Sequence, residues 1–232
     1  MTATNYSADD TALLIVDPYN DFMSEGGKLY ERTKETADAV GFYDNMRKLI
    51  PAVRAAHIQV FIVPHHCWRE GDYKGWKHMN PSQIRANEDQ DFAAGTWGGE
   101  FHPEFGPREG VDVIVLEHWA QSGFANTDLD SQLKQRGIEK IILVGMVANT
   151  CIEATGRLGM ELGYYVTLIK DATAAFSHEG MHGAAGSVIC RTEMKITNRM
   201  TCFWCPTVFH KPIIKQEQQE EYVYQRSGTY DE

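Results

Sequence analysis

Apolar residues along this chain fall into short unbroken runs, separated by longer segments in which apolar positions recur at helical spacing. The first run, at 11–17, reads TALLIVD and ends in an acid. Runs of this length without polar alternation are typical of strands buried on both faces of a parallel sheet. Four further runs lie at 58–64, 111–117, 138–145 and 164–170.

Helical spacing or helix-boundary residues mark the segments at about 33–56, 128–136, 151–162 and 178–190. Thr127 and Asp130, three residues apart, resemble a capping box at the start of the second helix. Alternating strands and helices predict an α/β fold of three αβα layers, with a mostly parallel, doubly wound sheet of roughly six strands. We place the sixth strand around 194–198.

No repeat, linker or second core is visible, so we expect one domain over residues 1–232, with a polar tail from about 210. The segment 65–110 is rich in His, Trp, Gly, Asp and Pro without a clear period, and we expect it to build a pocket wall.

Ligands of parallel α/β sheets bind beyond the carboxyl ends of the strands. The polar residues at those ends are Asp17, His65, His66, Glu117 and His118, with the MVANTC segment that ends at Cys151.

Composition narrows the class of partner. A formal net charge of −10 repels phosphate backbones and anionic lipid, so we expect neither nucleic-acid nor membrane binding. The N-terminus has no basic and apolar signal pattern, and no apolar run approaches the ~20 residues that span a bilayer, so we expect a cytoplasmic protein. Five cysteines in such a chain argue against a disulfide framework.

Two of the residues at strand ends are suited to nucleophilic chemistry. Cys151 lies at a predicted helix start, where free N–H groups and the helix dipole lower the pKa of a thiol, although a small buried cysteine is an equally ordinary role. Asp17 ends a buried strand, where a desolvated carboxylate can act as a base, although a turn or cap residue before Pro18 is the commoner role. A thiol nucleophile needs a positioned base, so each residue strengthens the case for the other.

Two blocks of sequence resemble the isochorismatase-like cysteine hydrolases, over about residues 10–178. They are LLIVDPYNDF at 13–22 and the long block from SGFANTDLD to KDATAAFS at 122–177. The resemblance implies Cys151 as nucleophile, Asp17 as base and an Asp–Lys–Cys triad. It further implies a cis peptide at Val147–Ala148, with backbone N–H groups of this turn, including those of Ala148 and Cys151, holding an oxyanion.

The chain departs from that family pattern at the lysine, because none occurs between Lys77 and Lys134. Counting back from Ser122 places the lysine slot on His118 or, with a longer loop, on Leu116. If His118 occupies it, an Asp–His–Cys site results. If Leu116 does, the triad lacks its cation.

We expect substrate contacts from Asn20, Trp119, Phe124 and Asn149. No cofactor is required, and no metal site is expected, because His65, His66 and His78 lack the spacing of a ligand set. Cys202 and Cys205 form a C-x-x-C pair that we assign to packing, since no second pair accompanies it.

The main functional hypothesis is hydrolysis of a small amide-like C–N bond through a Cys151 thioester, with Asp17 as acid and base. A second is cleavage of isochorismate with release of pyruvate, in which Cys151 is dispensable. A third is a catalytically silent binding protein on the same fold. By analogy with relatives of the resembled family, we expect a homo-oligomer, either dimer or tetramer.

Overall fold

The computed structural model describes residues 6–187, where five strands form one parallel sheet. In chain order the strands are β1 (Thr11–Val16), β2 (Gln59–Val63), β3 (Val113–Ile114), β4 (Lys140–Met146) and β5 (Tyr165–Ala174). Across the sheet the order is β3-β2-β1-β4-β5. Strand β1 is therefore central, with β2 and β3 on one side of it and β4 and β5 on the other. The predicted α/β fold with a parallel sheet is confirmed, with five strands; the one expected at 194–198 lies outside the described residues.

Strand β1 is buried along its whole length because both faces of the sheet are covered. Leu13 and Ile15 belong to one core, whereas Leu14 and Val16 belong to the other. Side chains of a strand point alternately to opposite faces, so a strand between two cores must be apolar at every position. Burial of each such side chain contributes about 1.5–3 kcal/mol. The central strand is therefore stable and holds the backbone of the next residue, Asp17, in place.

Helices cover the two faces of the sheet. Within the described region they are α1 (Asn20–Met23), α2 (Tyr30–Val40), α3 (Phe42–Ala55), α4 (Pro81–Asp89), α5 (Leu129–Lys134), α6 (Glu153–Glu161) and α7 (His178–Ser187). Apolar side chains of α2 and α3 join one core, and those of α5 and α6 pack on the other. None of the helices described is long and apolar enough to cross a bilayer.

The predicted helix at 33–56 is two helices. Gly41 adopts φ 68°, a left-handed conformation that ends α2 and opens α3. The predicted capping box at the start of α5 is also wrong. Asp128 is the N-cap and makes no capping bond with its side chain, while the Thr127 hydroxyl accepts the Leu129 N–H at 3.3 Å.

Strand β3 is much shorter than the predicted run at 111–117. It pairs with β2 on one side and forms the edge of the sheet, so Ile114 is half exposed. Beyond it the Leu116 N–H donates to the Asp128 carboxylate at 2.7 Å instead of to a neighbouring strand. Apolar character alone did not indicate that this run lies at an edge.

The irregular segment after β2 is held by aromatic packing. The Tyr19 ring stacks on Phe92 and Phe101, with ring centroids 4.8 and 5.2 Å apart, and its hydroxyl donates to the His65 carbonyl at 2.8 Å. The helix α4, which the sequence pattern did not predict, begins at a capping box formed by Asn80 and Gln83. These contacts join the segment to the end of β1, where the candidate residues lie.

Candidate active site

Asp17 stands at the carboxyl end of the central strand and is fully buried. Its backbone adopts φ 54°, a left-handed conformation that costs a non-glycine residue about 1–3 kcal/mol. The Asp17 N–H donates to the Val63 carbonyl at 3.0 Å, so pairing with β2 holds the residue in this conformation. Such strain is concentrated at functional sites.

Cys151 follows β4 after a sharp change in chain direction. The peptide bond between Met146 and Val147 is cis. The expectation of a cis bond between Val147 and Ala148 is therefore wrong by one residue, because the strand ends at Met146 and the chain turns at the first peptide beyond it.

A wide turn of π type, Ala148–Ile152, contains Cys151. The Val147 carbonyl accepts the Ile152 N–H at 3.2 Å, which makes the turn wider than that of an α-helix. Regular helix begins only at Glu153. The expected helix start at Cys151 is thus a π turn, a feature that is frequent at functional sites.

His118 follows β3 and forms an isolated parallel bridge with His65, beyond the ends of β2 and β3. The His118 N–H donates to the Pro64 carbonyl, and the His118 carbonyl accepts the His66 N–H, both at 2.9 Å. The ring is oriented in turn by Nδ1, which lies 3.0 Å from the Ala120 carbonyl. This contact requires a proton on Nδ1, since a carbonyl can only accept.

The other ring nitrogen of His118 meets the carboxylate of Asp17. Nε2 lies 3.0 Å from Oδ1, and neither side chain is exposed to solvent. Burial acts to lower the pKa of His118, but the Asp17 carboxylate outweighs it, and the pKa is raised above its usual value. Leu116, the other position considered for the missing lysine, is 62% exposed at the sheet edge.

Asp17, His118 and Cys151 form one buried cluster. Their side-chain nitrogen, oxygen and sulfur atoms all lie within 4.8 Å of one another. The second carboxylate oxygen, Oδ2 of Asp17, is buried without a hydrogen-bond partner among the described residues. The cluster therefore offers a thiol, a carboxylate, and an imidazole whose pKa the carboxylate raises.

The environment of Cys151 favours the neutral thiol. Burial and the nearby Asp17 carboxylate raise the pKa of Cys151 well above its usual value, although the Thr150 hydroxyl and the Val147 backbone N–H act in the opposite direction. The expectation that a helix terminus lowers this pKa is wrong, because desolvation and the carboxylate charge outweigh the favourable dipoles. In the resting site, the proton remains on sulfur.

The π turn brings several backbone N–H groups next to Cys151 in the chain. The Val147 N–H interacts with the sulfur, and the Thr150 N–H donates to the Val147 carbonyl at 3.1 Å. Backbone N–H groups beside a nucleophile are the usual donors to an oxyanion. The oxyanion role expected of Val147 and Ala148 stays a prediction.

Comparison with known proteins assigns the family. The model of the isochorismatase domain matches residues 11–191, most of the chain. This chain belongs to the isochorismatase family. It is 31% identical over 175 residues to a ureidoacrylate amidohydrolase, RutB, of Rhizobium rhizogenes, a match that covers 71% of this chain and 70% of that protein.

Solved structures agree with this family assignment. A cysteine hydrolase from Pseudomonas syringae pv. phaseolicola is 32% identical, with a TM-score of 0.61 over 73% of this chain and 75% of that one. A nicotinamidase/pyrazinamidase from Bacillus subtilis shares the fold at 22% identity, with a TM-score of 0.60 over 76% of this chain and 93% of that one. The expected isochorismatase-like hydrolase is therefore confirmed.

Two of the four residues expected to bind substrate have structural contacts in this isochorismatase-family chain. The Asn20 amide donates to the Trp97 carbonyl and accepts from the Ser24 hydroxyl, both at 2.8 Å. Phe124 is buried in the second core, where its ring stacks on Tyr164 at 5.6 Å. The Asn20 side chain therefore holds the loop at Trp97, and Phe124 is part of the core.

The other two are neighbours of cluster residues along the chain. Asn149 is exposed in the π turn, two residues before Cys151. Trp119 directly follows His118 and stacks on the ring of His66, with centroids 3.5 Å apart. Their roles in binding stay predictions.

His65 lies in the site but was not among the predicted catalytic residues. Its ring meets that of His118 edge to face at 5.1 Å, and its Nδ1 donates to the His66 carbonyl at 3.0 Å. Burial and the charge of His118 lower the pKa of His65 to about 4, so this ring is neutral. Its place after a buried strand put it among the polar residues expected at this edge of the sheet, but the sequence pattern indicated no particular role for it beyond a metal site, which was not expected.

His66, the neighbour of His65, is held between two carboxylates. Its Nδ1 lies 2.8 Å from Glu117 and its Nε2 lies 2.7 Å from Asp72. Burial acts to raise the pKa of Glu117, but the bonds from His66 and Arg69 outweigh it and lower the pKa to about 2. An imidazole between two carboxylates is held firmly in place, and it carries Trp119 on its face.

One group of metal-ligating side chains is present among the described residues, and it is the cluster itself. His65, His66 and His78, considered from sequence, do not form such a group there. The donor set of sulfur, imidazole nitrogen and carboxylate oxygen suits zinc and similar ions.

Proposed function

We propose that this protein hydrolyses a small amide or ureido C–N bond, with Cys151 as the nucleophile. The observation that carries the proposal is the single buried cluster of Cys151, Asp17 and His118 at the carboxyl edge of the sheet. The names of two similar proteins, a ureidoacrylate amidohydrolase and a cysteine hydrolase, support the same chemistry.

In the first step the thiol is deprotonated as it attacks. Because the pKa of Cys151 is raised, the thiol is neutral before substrate reacts. Proton transfer to Asp17 therefore accompanies attack of the sulfur on the substrate carbonyl. The unpartnered Oδ2 of Asp17 is the acceptor, while Oδ1 stays bonded to His118. The sulfur–carbon bond forms, and the carbonyl oxygen becomes an oxyanion that the Ala148 and Cys151 N–H groups stabilise.

In the second step the C–N bond breaks. The proton on Asp17 passes to the leaving nitrogen, so the amine or ammonia departs neutral and a Cys151 thioester remains. Water then attacks the thioester while Asp17 accepts its proton, the sulfur–carbon bond breaks, and the proton returns to sulfur. The acid product leaves, and no cofactor takes part in these steps.

His118 acts as a positioning residue in this scheme. Its Nε2, 3.0 Å from Oδ1, fixes the direction of the buried carboxylate, and the raised pKa of His118 favours a charged ring beside it. That is the role we assign to the position where the resembled family has lysine. The Asp–His pair thereby argues against the expected alternative of a silent site without a cation.

The test is ammonia release from a panel of small amides and ureido acids, followed for the native protein and for Cys151→Ala. We expect the variant to lose at least about a thousandfold in kcat, since it has no nucleophile. A Cys67→Ser variant is the matched control, because Cys67 is also a buried free cysteine. A trapped acyl-enzyme mass on the Cys151 peptide identifies the thioester, and undiminished turnover by Cys151→Ala would disprove the mechanism.

Isochorismate cleavage stays the second prediction, and pyruvate release tests it. There Asp17 protonates the substrate and Cys151→Ala remains active. Pyruvate release with a dispensable cysteine would replace the amidase proposal.

A further inference from the structure

The same three side chains that we assign to hydrolysis make a set of zinc ligands. A thiolate, an imidazole nitrogen and a carboxylate oxygen each bind Zn²⁺ at about 2.0–2.3 Å, which places tetrahedral ligands about 3.3–3.8 Å apart. The corresponding atoms of Cys151, His118 and Asp17 lie within 4.8 Å of one another. The spacing of the cluster therefore approaches that of a tetrahedral zinc site.

His118 already has the orientation of a metal ligand. Histidines that bind metals generally donate their other ring N–H to a backbone carbonyl or carboxylate, which fixes the tautomer and the plane of the ring. Nδ1 of His118 makes this bond to the Ala120 carbonyl at 3.0 Å. Nε2 is left facing the cluster.

Asp17 offers an oxygen to the cluster. Its Oδ2 is buried and makes no hydrogen bond to a nitrogen or oxygen of a described residue, and the Cys151 thiol is the group that interacts with this carboxylate. A cation bound between Oδ2, the sulfur and Nε2 satisfies that oxygen.

The donor chemistry of the cluster fits a divalent ion. A carboxylate and a thiolate together carry two negative charges, and with a neutral imidazole they balance the two positive charges of Zn²⁺ in a buried site. Binding therefore displaces any proton held on the sulfur or on Nε2.

We propose that Asp17, His118 and Cys151 form a reversible Zn²⁺ site, and that zinc occupancy switches hydrolysis off. The binding half stands on the cluster alone. The inhibitory half rests on the proposed function, because zinc occupies both the nucleophile and the base that hydrolysis requires.

The binding test uses the full chain with Cys202→Ser and Cys205→Ser, so that the C-x-x-C pair cannot bind the added metal. Zinc affinity is measured by competition with a chromogenic chelator, and cobalt is added to a second sample to detect thiolate-to-cobalt charge-transfer absorption. We expect one ion per chain, with thiolate ligation. Absence of binding would overturn the proposal.

Variants locate the site. His118→Lys and Asp17→Asn should each weaken zinc binding by at least about 100-fold, because loss even of a group outside the coordination sphere costs 10–100-fold. Cys67→Ser, the matched control for a buried thiol, should bind as tightly as the background protein. Circular dichroism and thermal melting confirm that each variant is folded. Undiminished binding by folded His118→Lys and Asp17→Asn would place the metal elsewhere and overturn the assignment.

The last measurement separates this inference from the proposed function. We expect stoichiometric zinc to abolish ammonia release by the background protein and by Cys67→Ser alike, and a chelator to restore it in both. Hydrolysis that zinc leaves unchanged would overturn the inhibitory half. Zinc binding without hydrolysis of any amide would overturn the proposed function and leave the metal site intact.

Discussion

Nε2 of His118 lies 3.0 Å from Oδ1 of Asp17, and both side chains are completely buried. Removal of one member of a buried ion pair typically costs about 3–5 kcal/mol, because the remaining charge has no partner and no water. We therefore expect His118→Leu to lower the free energy of unfolding by about that amount. The double variant Asp17→Asn/His118→Leu should recover part of the loss while remaining inactive.

Chemical denaturation of the native protein, the single variants His118→Leu and Asp17→Asn, and the double variant gives the coupling energy of the pair. Equal stability of His118→Leu and the native protein would show that the Asp17 carboxylate is not a buried charge. Ammonia release, measured on the same samples, distinguishes lost stability from lost activity.

A second prediction concerns the reactivity of Cys151. Because burial and Asp17 raise its pKa, Cys151 should be alkylated slowly by iodoacetamide near neutral pH and faster only as the pH rises beyond the usual thiol range. Asp17→Asn removes the carboxylate charge, lowers the pKa of the thiol and should accelerate alkylation about tenfold for each unit of the change. Peptide mass spectrometry with a chelator present measures the rates.

Cys67 is the internal reference for this experiment, because burial raises its pKa to about 11 and Asp17 is not among the groups that shift it. Its rate should be the same in both proteins. A Cys151 that reacts rapidly at neutral pH in the native protein would contradict the concerted proton transfer proposed for the first step.

A third prediction concerns Asp91, whose pKa is raised to about 6, chiefly by burial. Its carboxyl group in the unfolded chain titrates at about 3.9, so the folded state holds the proton more tightly, and stability falls as the pH rises from about 4 through 6. Asp91→Asn removes this dependence. We expect the stability of the variant, relative to the native protein, to improve by about 2 kcal/mol between about pH 4 and pH 8.

Urea unfolding at several pH values measures this difference. The Arg85 Nη1 atom, which lies 3.1 Å from Asp91, is buried, so the variant also loses this ion pair, and it is the pH dependence of the difference that reports the titration of Asp91. A relative stability that does not change with pH would show that Asp91 titrates normally.

A fourth prediction tests the close approach of β1 and β4. Gly145 adopts φ 113°, and a β-carbon there would lie 2.2 Å from the Val16 carbonyl oxygen. Gly145→Ala should therefore reduce stability by more than about 3 kcal/mol, since backbone cannot move aside within a sheet. Gly163→Ala is the matched control, because Gly163 has φ 97° and open space around its α-carbon.

The control should lose only the cost of placing alanine in a left-handed conformation, about 1–2 kcal/mol. Equal losses in the two variants, measured by denaturant unfolding, would show that conformational strain alone explains the effect at Gly145. The difference between them reports the contact that sets the spacing of the strands carrying Asp17 and Cys151.

The sheet could be predicted from sequence because its central strands are buried on both faces and must be apolar throughout. Edges and turns were harder. The run that contains β3 has the same apolar character, yet whether a neighbour covers it depends on the whole sheet. Gly41 divides α2 from α3 because its backbone is left-handed. The sequence does not predict this break, since a glycine within a helical pattern can also adopt the ordinary helical conformation.

At the site, position along the strands identified Asp17, His118 and Cys151, because strand ends meet at one edge. The choice between His118 and Leu116 depended on loop length, which sequence counting cannot fix. The pKa of Cys151 was assigned in the wrong direction because helix geometry can be predicted from sequence, whereas the depth of burial and a carboxylate 134 residues away cannot.

Two main-chain hydrogen bonds join the ends of β2 and β3 at His65 and His118, beyond the last residues of either strand. They hold the backbone of His118 independently of any side chain, whereas the segment from 67 to 112 is held by side-chain packing such as that of Tyr19 on Phe92. We therefore expect substitutions in that segment to change which substrate the proposed site accepts more than they change the position of His118 beside Asp17.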